Sequence, residues 1–365
     1  MTSTHLLITS DAIGGVWTYT LDLAAALAGH GVRTTIATLG PSPSDDQRRS
    51  AAGIPGLRLV ETAIPLDWCA QKPAQVHDAS AQVYALARRV RANLVQLHSP
   101  ALAVEADGSL PTMGLIHSCQ ASWWATMEGG PMPEEFVWRT DLVAHGLARC
   151  AQIVAPSHAF AALVQRCYGL AQPPRAVHNG RSIHAVSTRA PDDSVFTAGR
   201  LWDRAKNAKT MDDAAARLAV PFWAAGQLRG PGGDGVDLRH LCLLGQMENE
   251  ALAALLSARP VFVSAALYEP FGLSVLEAAM AGCALVLSDI PTFRELWDDA
   301  ALFVSPRDAQ GFADAIEALI GDPAARHAMG ARAARRAQSY SIASTARQMA
   351  GLYAELLPRS RRDAA

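Results

Sequence analysis

Two glutamates stand eight positions apart where a short apolar run meets a helix-forming segment. Glu269 and Glu277 belong to YEPFGLSVLEAAMAG, which follows the apolar run PVFVSAAL. That run predicts a buried strand, and Pro270 disfavours a helical conformation at Glu269. Gly272 permits an unusual backbone dihedral angle before a helix that begins near Leu273. The first amide groups of such a helix can bind phosphate, and carboxylates accept hydrogen bonds from sugar hydroxyl groups.

A simpler interpretation exists for the same two acids. Glu269 would complement the positive end of the helix dipole, and Glu277 would be an ordinary surface residue. This interpretation is the better one for an isolated pair of acids. The complete order of strand, EPFG and helix favours a ligand site instead.

Two basic residues follow another predicted strand, SVFTAG. Arg200 and Lys206 lie in the segment AGRLWDRAKN. Arg200 offers a planar fork of donors that suits a diphosphate, and Lys206 adds a mobile positive charge. The alternative is an ordinary exposed loop in which Arg200 pairs with Asp203.

Other predicted strands also end in residues that can contact a ligand. Gly14 and Gly15 in ITSDAIGGV allow backbone amides to approach phosphate or sugar, although a plain tight turn explains them equally well. His117 ends a strand in GLIHSCQASWW, a position where a histidine is more often structural than catalytic. Trp123 and Trp124 could line an acceptor pocket, but buried packing is the favoured alternative.

These segments belong to an alternation of strand and helix patterns. The predicted strands are 5–9, 34–39, 57–60, 94–98, 112–117 and 152–157, then 194–199, 221–226, 241–245, 260–265, 284–289 and 301–306. Such an alternation predicts parallel sheets covered on both faces by helices. It restarts after the Pro- and Gly-containing stretch 170–192, so we expect two doubly wound, Rossmann-like α/β domains. They would face each other across a cleft beyond the carboxyl ends of their strands, where open α/β sheets bind ligands.

Composition excludes several other classes of protein. The 365 residues carry a formal net charge of -2, which argues against an electrostatic nucleic-acid binder. No apolar stretch approaches the roughly 20 residues that span a bilayer, and the start of the sequence lacks a signal-peptide pattern. Six cysteines without CxxC pairs indicate reduced thiols rather than disulfides or a zinc site. These features predict a cytoplasmic protein.

EPFGLSVLEAAMAG closely resembles the E-x7-E motif of retaining glycosyltransferases with the GT-B fold, in particular glycosyltransferase family 4. The resemblance extends over nearly the whole chain. SDAIGGVWTYTLDLAAALAGHGV is similar to the family's glycine loop and first helix, and HNG to the segment that enters the second domain. AGRLWDRAKN resembles the phosphate-binding arginine–lysine motif, and LGQMENEALAALL the region beside the nucleotide base. The commoner family form has one residue fewer between the two basic positions, so Arg204 could share or replace the role of Lys206.

The resemblance implies a retaining hexosyltransferase, of the kind found in polysaccharide biosynthesis. It would move a sugar from a UDP-, GDP- or ADP-linked donor to a saccharide, lipid-linked or small-molecule acceptor. It implies no metal and no other cofactor, in keeping with the lack of a convincing DxD-type acidic cluster, and no nucleic-acid partner. Peripheral contact with the inner face of a membrane stays open.

The resemblance also implies roles for individual residues. The catalytic group comprises Glu269, Arg200, Lys206 and His117. The donor-binding group comprises Gly14, Gly15, Arg200, Lys206, Met247, Glu269, Phe271, Gly272, Leu273 and Glu277. Arg200 and Lys206 would hold the phosphates, Glu269 the sugar hydroxyl groups and Glu277 the ribose.

For the domains, we expect an acceptor-side domain over residues 1–172 and a donor-side domain over 173–345. Residues 346–365 would form a C-terminal helix and tail that pack back toward the first domain. Three other functions stay open: a phosphorylase, a nucleotide-sugar epimerase on the same fold, and a non-catalytic protein that binds sugar nucleotides. A nicotinamide dehydrogenase is disfavoured because the GxGxxG fingerprint is incomplete.

Overall fold

The alternating strand and helix patterns fold into two α/β units. The computed structural model describes residues 4–12, 14–182, 191–230 and 233–357. One unit contains the residues up to 182 together with those from 342 onward, and the other contains residues 183–341. Each unit is built on its own parallel sheet. The predicted fold class is therefore confirmed.

The first unit contains a seven-stranded parallel sheet among its described residues. Its strands are β1 (His5–Asp11), β2 (Arg33–Leu39), β3 (Leu57–Glu61), β4 (Leu94–Leu97), β5 (Thr112–Leu115), β6 (Gln152–Ala155) and β7 (Arg175–Ala176). Its helices are α1 (Gly15–Ala28), α2 (Asp45–Ala52), α3 (Pro73–Arg89), α4 (Gln120–Met127), α5 (Glu134–Arg149) and α6 (His158–Tyr168), followed late in the chain by α13 (Ile342–Leu356). The strand order is β3-β2-β1-β4-β5-β6-β7.

Alternate residues of β1 face opposite sides of this sheet, as the period of a strand requires. Leu6 and Ile8 pack in a core cluster with residues of α1 and α13. Leu7 packs in another cluster with residues of α3. Burial on both faces explains why Leu6, Leu7 and Ile8 are all apolar and do not alternate with polar residues.

The second unit contains a six-stranded parallel sheet among its described residues. Its strands are β8 (Val195–Ala198), β9 (Phe222–Ala225), β10 (Cys242–Gly245), β11 (Val261–Ser264), β12 (Leu285–Ser288) and β13 (Ala301–Val304). Its helices are α7 (Ala208–Ala215), α8 (Asn249–Ser257), α9 (Leu273–Met280), α10 (Pro291–Trp297), α11 (Ala309–Gly321) and α12 (Pro323–Ala337). The strand order is β10-β9-β8-β11-β12-β13, and alternate residues of β11 again enter two different core clusters.

The end of the first unit differs from the sequence pattern in one element. β7 has only two residues, too few for a strand pattern, and it pairs with β6 through Val154 and Arg175. The first unit therefore extends beyond the expected boundary after residue 172. Residues 183–190, within the stretch expected to join the domains, and the predicted tail 358–365 lie outside the described residues.

The helix α13 belongs to the first unit although it follows the second unit in the chain. Its residues Met349, Leu352 and Tyr353 are buried in the same core cluster as Leu23 and Leu27 of α1. In the described part of the chain, no helix has the length and apolar character needed to cross a membrane.

Candidate active site

Each sheet has one place where the loops after two neighbouring strands run in opposite directions. In the first sheet this place lies between β1 and β4, and in the second it lies between β8 and β11. The chain leaves β1 toward β2 on one side, whereas β4 leads to β5 on the other, and the second sheet repeats this order. Diverging loops leave a crevice at the carboxyl ends of the strands, which is the usual ligand site of such sheets. Arg200, Lys206 and Glu269 lie in the loops after β8 and β11, and the glycine pair follows β1. His117 and Met247 instead follow β5 and β10.

The loop after β8 carries both predicted phosphate ligands. Nη2 of Arg200 lies 3.0 Å from Oδ2 of Asp203, so the ion pair weighed as an alternative is present. Oδ1 of Asp203 accepts a hydrogen bond of 2.9 Å from the backbone of Ala205. The Arg200 side chain is 66% exposed, and its guanidinium lies 5.7 Å from the centre of the Trp202 ring. An exposed pair of this kind is weak, so Arg200 can exchange Asp203 for a phosphate.

The loop after β11 contacts the loop after β8 through a backbone and a side-chain hydrogen bond, among others. The backbone amide of Leu267 donates a 2.8 Å hydrogen bond to the carbonyl of Ala205. Nζ of Lys206 donates a hydrogen bond to Oε2 of Glu269. Only 24% of the Lys206 side chain and 12% of the Glu269 side chain are exposed. Lys206 therefore contacts the first glutamate of the motif, and its role as phosphate ligand, shared with or replaced by Arg204, stays a prediction.

The EPFG segment turns the chain sharply into α9. Gly272 has φ 93° and ψ 67°, a left-handed conformation that favours glycine. A Cβ atom there would lie 3.1 Å from the Phe293 ring and 3.4 Å from Cγ of Glu269. Phe271 is buried and packs edge-on against Tyr340, with 5.9 Å between ring centres. Glycine and phenylalanine thus fix the path of the backbone beside Glu269.

The N-terminus of α9 has no side-chain cap among the described residues. Leu273, the first helical residue, is half-buried, and its amide belongs to the first turn, whose amide groups lack partners within the helix. Glu277 lies half-buried on the same helix. Met247 lies in the loop after β10, half-buried against a core cluster of this unit. The roles expected for Glu277 and Met247 stay predictions.

In the first unit, the glycine loop joins β1 to α1. Gly14 and Gly15 are both exposed. Gly14 has φ 85° and ψ -148°, a conformation that an L-residue with a side chain rarely adopts, and it directly precedes α1. This conformation explains why a glycine stands at position 14, and the choice between a ligand-binding loop and a plain tight turn stays a prediction.

His117 follows β5 and lies in a cluster of aromatic rings. Its ring centre is 5.1 Å from that of Tyr19 and 4.9 Å from that of His98. Nε2 of His117 is buried and has no hydrogen-bond partner among the described residues. Burial lowers the pKa of His117 to about 4, so its ring is neutral near pH 7.

Sequence reasoning did not identify His98, which packs against His117, or the residues that are hydrogen-bonded to His98. Tyr353 Oη donates to Gln96 Oε1, and Nε2 of that amide lies 3.1 Å from Nε2 of His98. The amide therefore donates to His98, which leaves the proton of the neutral imidazole on Nδ1, 3.4 Å from Oγ1 of Thr20. The only sequence signal was the position of His98 directly after a strand beside the switch point.

Trp123 and Trp124 are packed against each other and against α5. Their ring centres lie 6.4 Å apart, and Trp124 lies 6.1 Å from Phe136. Nε1 of Trp124 donates to the carbonyl of Gly130 at 2.9 Å. Both tryptophans are half-buried, so the choice between buried packing and an acceptor pocket stays a prediction.

Two family descriptions match long segments of the chain. The family description "Glycosyltransferase Family 4" matches residues 13–184, and "Glycosyl transferases group 1" matches residues 237–336. The glycogen synthase of Mycobacterium tuberculosis is 42% identical over 101 residues, which cover 27% of this chain and 24% of that protein. The chain thus matches about a quarter of the length of this curated relative.

Solved structures show the same fold over nearly the whole chain. Sucrose-phosphate synthase from Thermosynechococcus elongatus has a TM-score of 0.79 at 20% identity, covering 97% of this chain and 99% of that one. The Anabaena protein HepE, solved in complex with UDP and glucose, has a TM-score of 0.75 at 16% identity, covering 97% and 100%. At these identities the likeness shows the fold, which is GT-B.

Proposed function

The chain belongs to glycosyltransferase family 4, and from this premise we propose that it transfers a sugar from a nucleotide-diphosphate sugar to an acceptor hydroxyl group. The acceptor is a saccharide, a lipid-linked saccharide or a small molecule. The configuration at the anomeric carbon is retained. The donor binds mainly to the second unit, where the basic residues and the glutamates lie.

The contact between Lys206 and Glu269 supports this function most directly. It joins the loops that follow β8 and β11, at the switch point of the second sheet and beside the start of α9. A positive charge, a carboxylate and the first amides of α9 thus lie beside one crevice. A sugar diphosphate needs these groups together: cations and amides for its phosphates, and a carboxylate for its sugar hydroxyl groups.

The same groups can promote cleavage of the bond between sugar and phosphate. Arg200, Lys206 and the amides of Gly272 and Leu273 stabilise the negative charge that develops on the departing diphosphate. Such donors act most strongly when they are fixed before the reaction, and the contacts of Lys206 fix it. No metal ion is assigned to this step, because these groups already supply the positive charge.

Glu269 orients the sugar. One of its oxygens accepts from Lys206, and the carboxylate has further lone pairs for hydroxyl groups. In a same-face transfer, a phosphate oxygen takes the proton of the acceptor hydroxyl, so the enzyme needs no nucleophile. The two glutamates therefore do not act as the acid and nucleophile of a glycosidase.

A donor panel tests this function. UDP-glucose is the first candidate, since the neighbour HepE was also solved with UDP-glucose, and GDP- and ADP-linked sugars complete the panel. The correct donor should raise the melting temperature in proportion to its affinity. With an acceptor panel, proton NMR should then show a product with the anomeric configuration of the donor. Release of sugar 1-phosphate in free phosphate, or epimerised donor without acceptor, would replace this proposal with a phosphorylase or an epimerase.

A further inference from the structure

Asn207, the residue after Lys206, has a backbone conformation that few side chains tolerate. Its φ is 55° and its ψ is 42°, in the left-handed region. Asparagine is one of the few residues apart from glycine that adopt it readily. The residue ends the 3-10 turn Arg204–Lys206 and immediately precedes α7. The direction in which the chain leaves Lys206 is therefore set at Asn207.

The side-chain amide of Asn207 binds three separate segments. Nδ2 donates to the carbonyl of Ala265 at 2.9 Å and to the carbonyl of Pro306 at 2.6 Å. Oδ1 accepts from Oγ1 of Thr210 at 2.9 Å. Ala265 follows β11 and Pro306 follows β13, the two strands that flank β12 in the sheet. Both donor hydrogens and one acceptor position of the amide are used, which no other side chain of this size could reproduce.

These bonds act on the position of Lys206. Asn207 anchors one end of the 3-10 turn to the carbonyl that begins the Glu269 loop. The backbone bond from Leu267 to Ala205 anchors the middle of the same turn to that loop. Between the two anchors, the Lys206 side chain is directed to Glu269.

We infer that Asn207 is a positioning residue, which holds the Lys206 ammonium group beside Glu269 where the donor diphosphate binds. The inference rests on the proposed function for its consequence in catalysis. Asn207 itself contacts backbone carbonyls and Thr210, so it acts on the ligand through Lys206. Its anchoring of Lys206 can be measured without any donor.

The first measurement is the reactivity of Lys206 toward an acetylating reagent. The chain has three lysines, Lys72, Lys206 and Lys209, so peptide mass spectrometry can follow each of them. Asn207→Gly keeps the left-handed conformation but removes all three side-chain bonds. It should raise the acetylation rate of Lys206 relative to Lys209 by about threefold or more, because the anchored turn opens more often.

Asp299→Gly is the matched control for this substitution. Asp299 also has a positive φ, 65°, and it is exposed elsewhere in the same unit. The control should leave Lys206 as slow to react as in the wild type. If Asn207→Gly does not fold, Thr210→Val, which removes one of the three bonds, should show the same change to a smaller extent.

The second measurement separates positioning from a general effect on folding. Asn207→Gly should weaken UDP binding about tenfold in calorimetry. In a Lys206→Ala background the same substitution should change UDP binding by less than about twofold, since the group that it positions is gone. An equal loss in both backgrounds, or a folded Asn207→Gly variant with unchanged Lys206 acetylation, would overturn the inference.

The two proposals can fail separately. If the wild type neither binds UDP nor transfers from any donor of the panel, the proposed function fails, and the acetylation rates still decide the role of Asn207. If the wild type transfers sugar and the Asn207 variants match it in both measurements, only the role of Asn207 is wrong.

Discussion

Lys206 donates a hydrogen bond to Glu269 from 63 positions away in the chain. The contact exists because β8 and β11 are neighbours in the sheet, so the loops at their carboxyl ends share one crevice. Both side chains are largely buried, and each compensates the charge of the other. A phosphate that enters the crevice would find the ammonium group already in place.

The first prediction concerns this pair. Lys206→Ala and Glu269→Gln should each lower the transfer rate by about 100-fold or more, because each removes a fixed group that is proposed to contact the donor. Steady-state rates with the identified donor measure the effect. Lys209→Ala is the matched control, since Lys209 is exposed and pairs with Asp213 on α7. Near-normal turnover in either of the first two variants would contradict the site.

The second prediction concerns the glycine loop after β1. Gly14→Ala should destabilise the protein by about 1–3 kcal/mol, because its φ of 85° and ψ of -148° strain any residue with a Cβ atom. Gly351→Ala should instead stabilise it by about 0.5–1 kcal/mol, because Gly351 lies exposed within α13 with open space around it. Urea unfolding measures both changes. Equal effects of the two substitutions would mean that the Gly14 conformation is wrong.

The third prediction concerns pH. An unfolded histidine takes up its proton near its ordinary pKa of 6.5, whereas the folded pKa of His117 is about 4. Between these values the unfolded chain binds more protons, so the free energy of unfolding falls as the pH decreases from about 6.5 to about 4. Burial and the neighbouring His117 also lower the pKa of His98, which adds to the same slope.

Substitution of His117 should reduce this slope. Urea unfolding of His117→Gln at several pH values between about 7 and about 4 should show a weaker loss of stability than the wild type. His30→Gln, at an exposed position, serves as the control and should keep the wild-type slope. A slope that is the same in all three proteins would show that His117 is not the buried neutral residue described above.

The fourth prediction concerns the hydrogen bonds behind His117. Tyr353→Phe removes the hydroxyl group that donates to Gln96, and both side chains are buried. Loss of a buried partner should cost about 1–3 kcal/mol of unfolding free energy. Urea unfolding measures it, with Tyr84→Phe, which removes a buried bond to Thr112, as a reference for the same chemical change. A Tyr353→Phe variant as stable as the wild type would mean that this bond is not formed.

The fifth prediction concerns metal ions. Transfer should continue at an unchanged rate in excess EDTA, because Arg200, Lys206 and the amides at the start of α9 are proposed to neutralise the diphosphate. The rate is measured with the identified donor before and after dialysis against the chelator. Loss of activity that added Mg²⁺ restores would assign part of this neutralisation to a metal ion instead.

Much of the fold followed from local patterns. Short apolar runs bounded by turns predicted twelve strands, and each lies within about three residues of an observed strand. The short helices α2, α4 and α10 were not predicted. The strand β7 was missed because two residues show no alternation.

The sequence predicted which residues form the candidate site, but it did not predict which of them contact each other. The E-x7-E segment and the glycine loop could be found because their chemistry is contiguous in sequence. The sequence could not predict that Lys206 contacts Glu269, because that contact depends on how the 3-10 turn is anchored to the loop after β11. The contact between the rings of His98 and His117 could not be predicted either, because it forms only when the parallel strands β4 and β5 pair in the sheet.

The sequence by itself determined which residues could bind a sugar diphosphate and that they follow buried parallel strands, because periodicity and residue chemistry are local properties. Tertiary structure alone decided that Lys206 meets Glu269 and that Asn207 joins the ends of β11 and β13. The physical reason is that strand order depends on the burial of distant apolar faces against each other. No stretch of neighbouring residues carries that information.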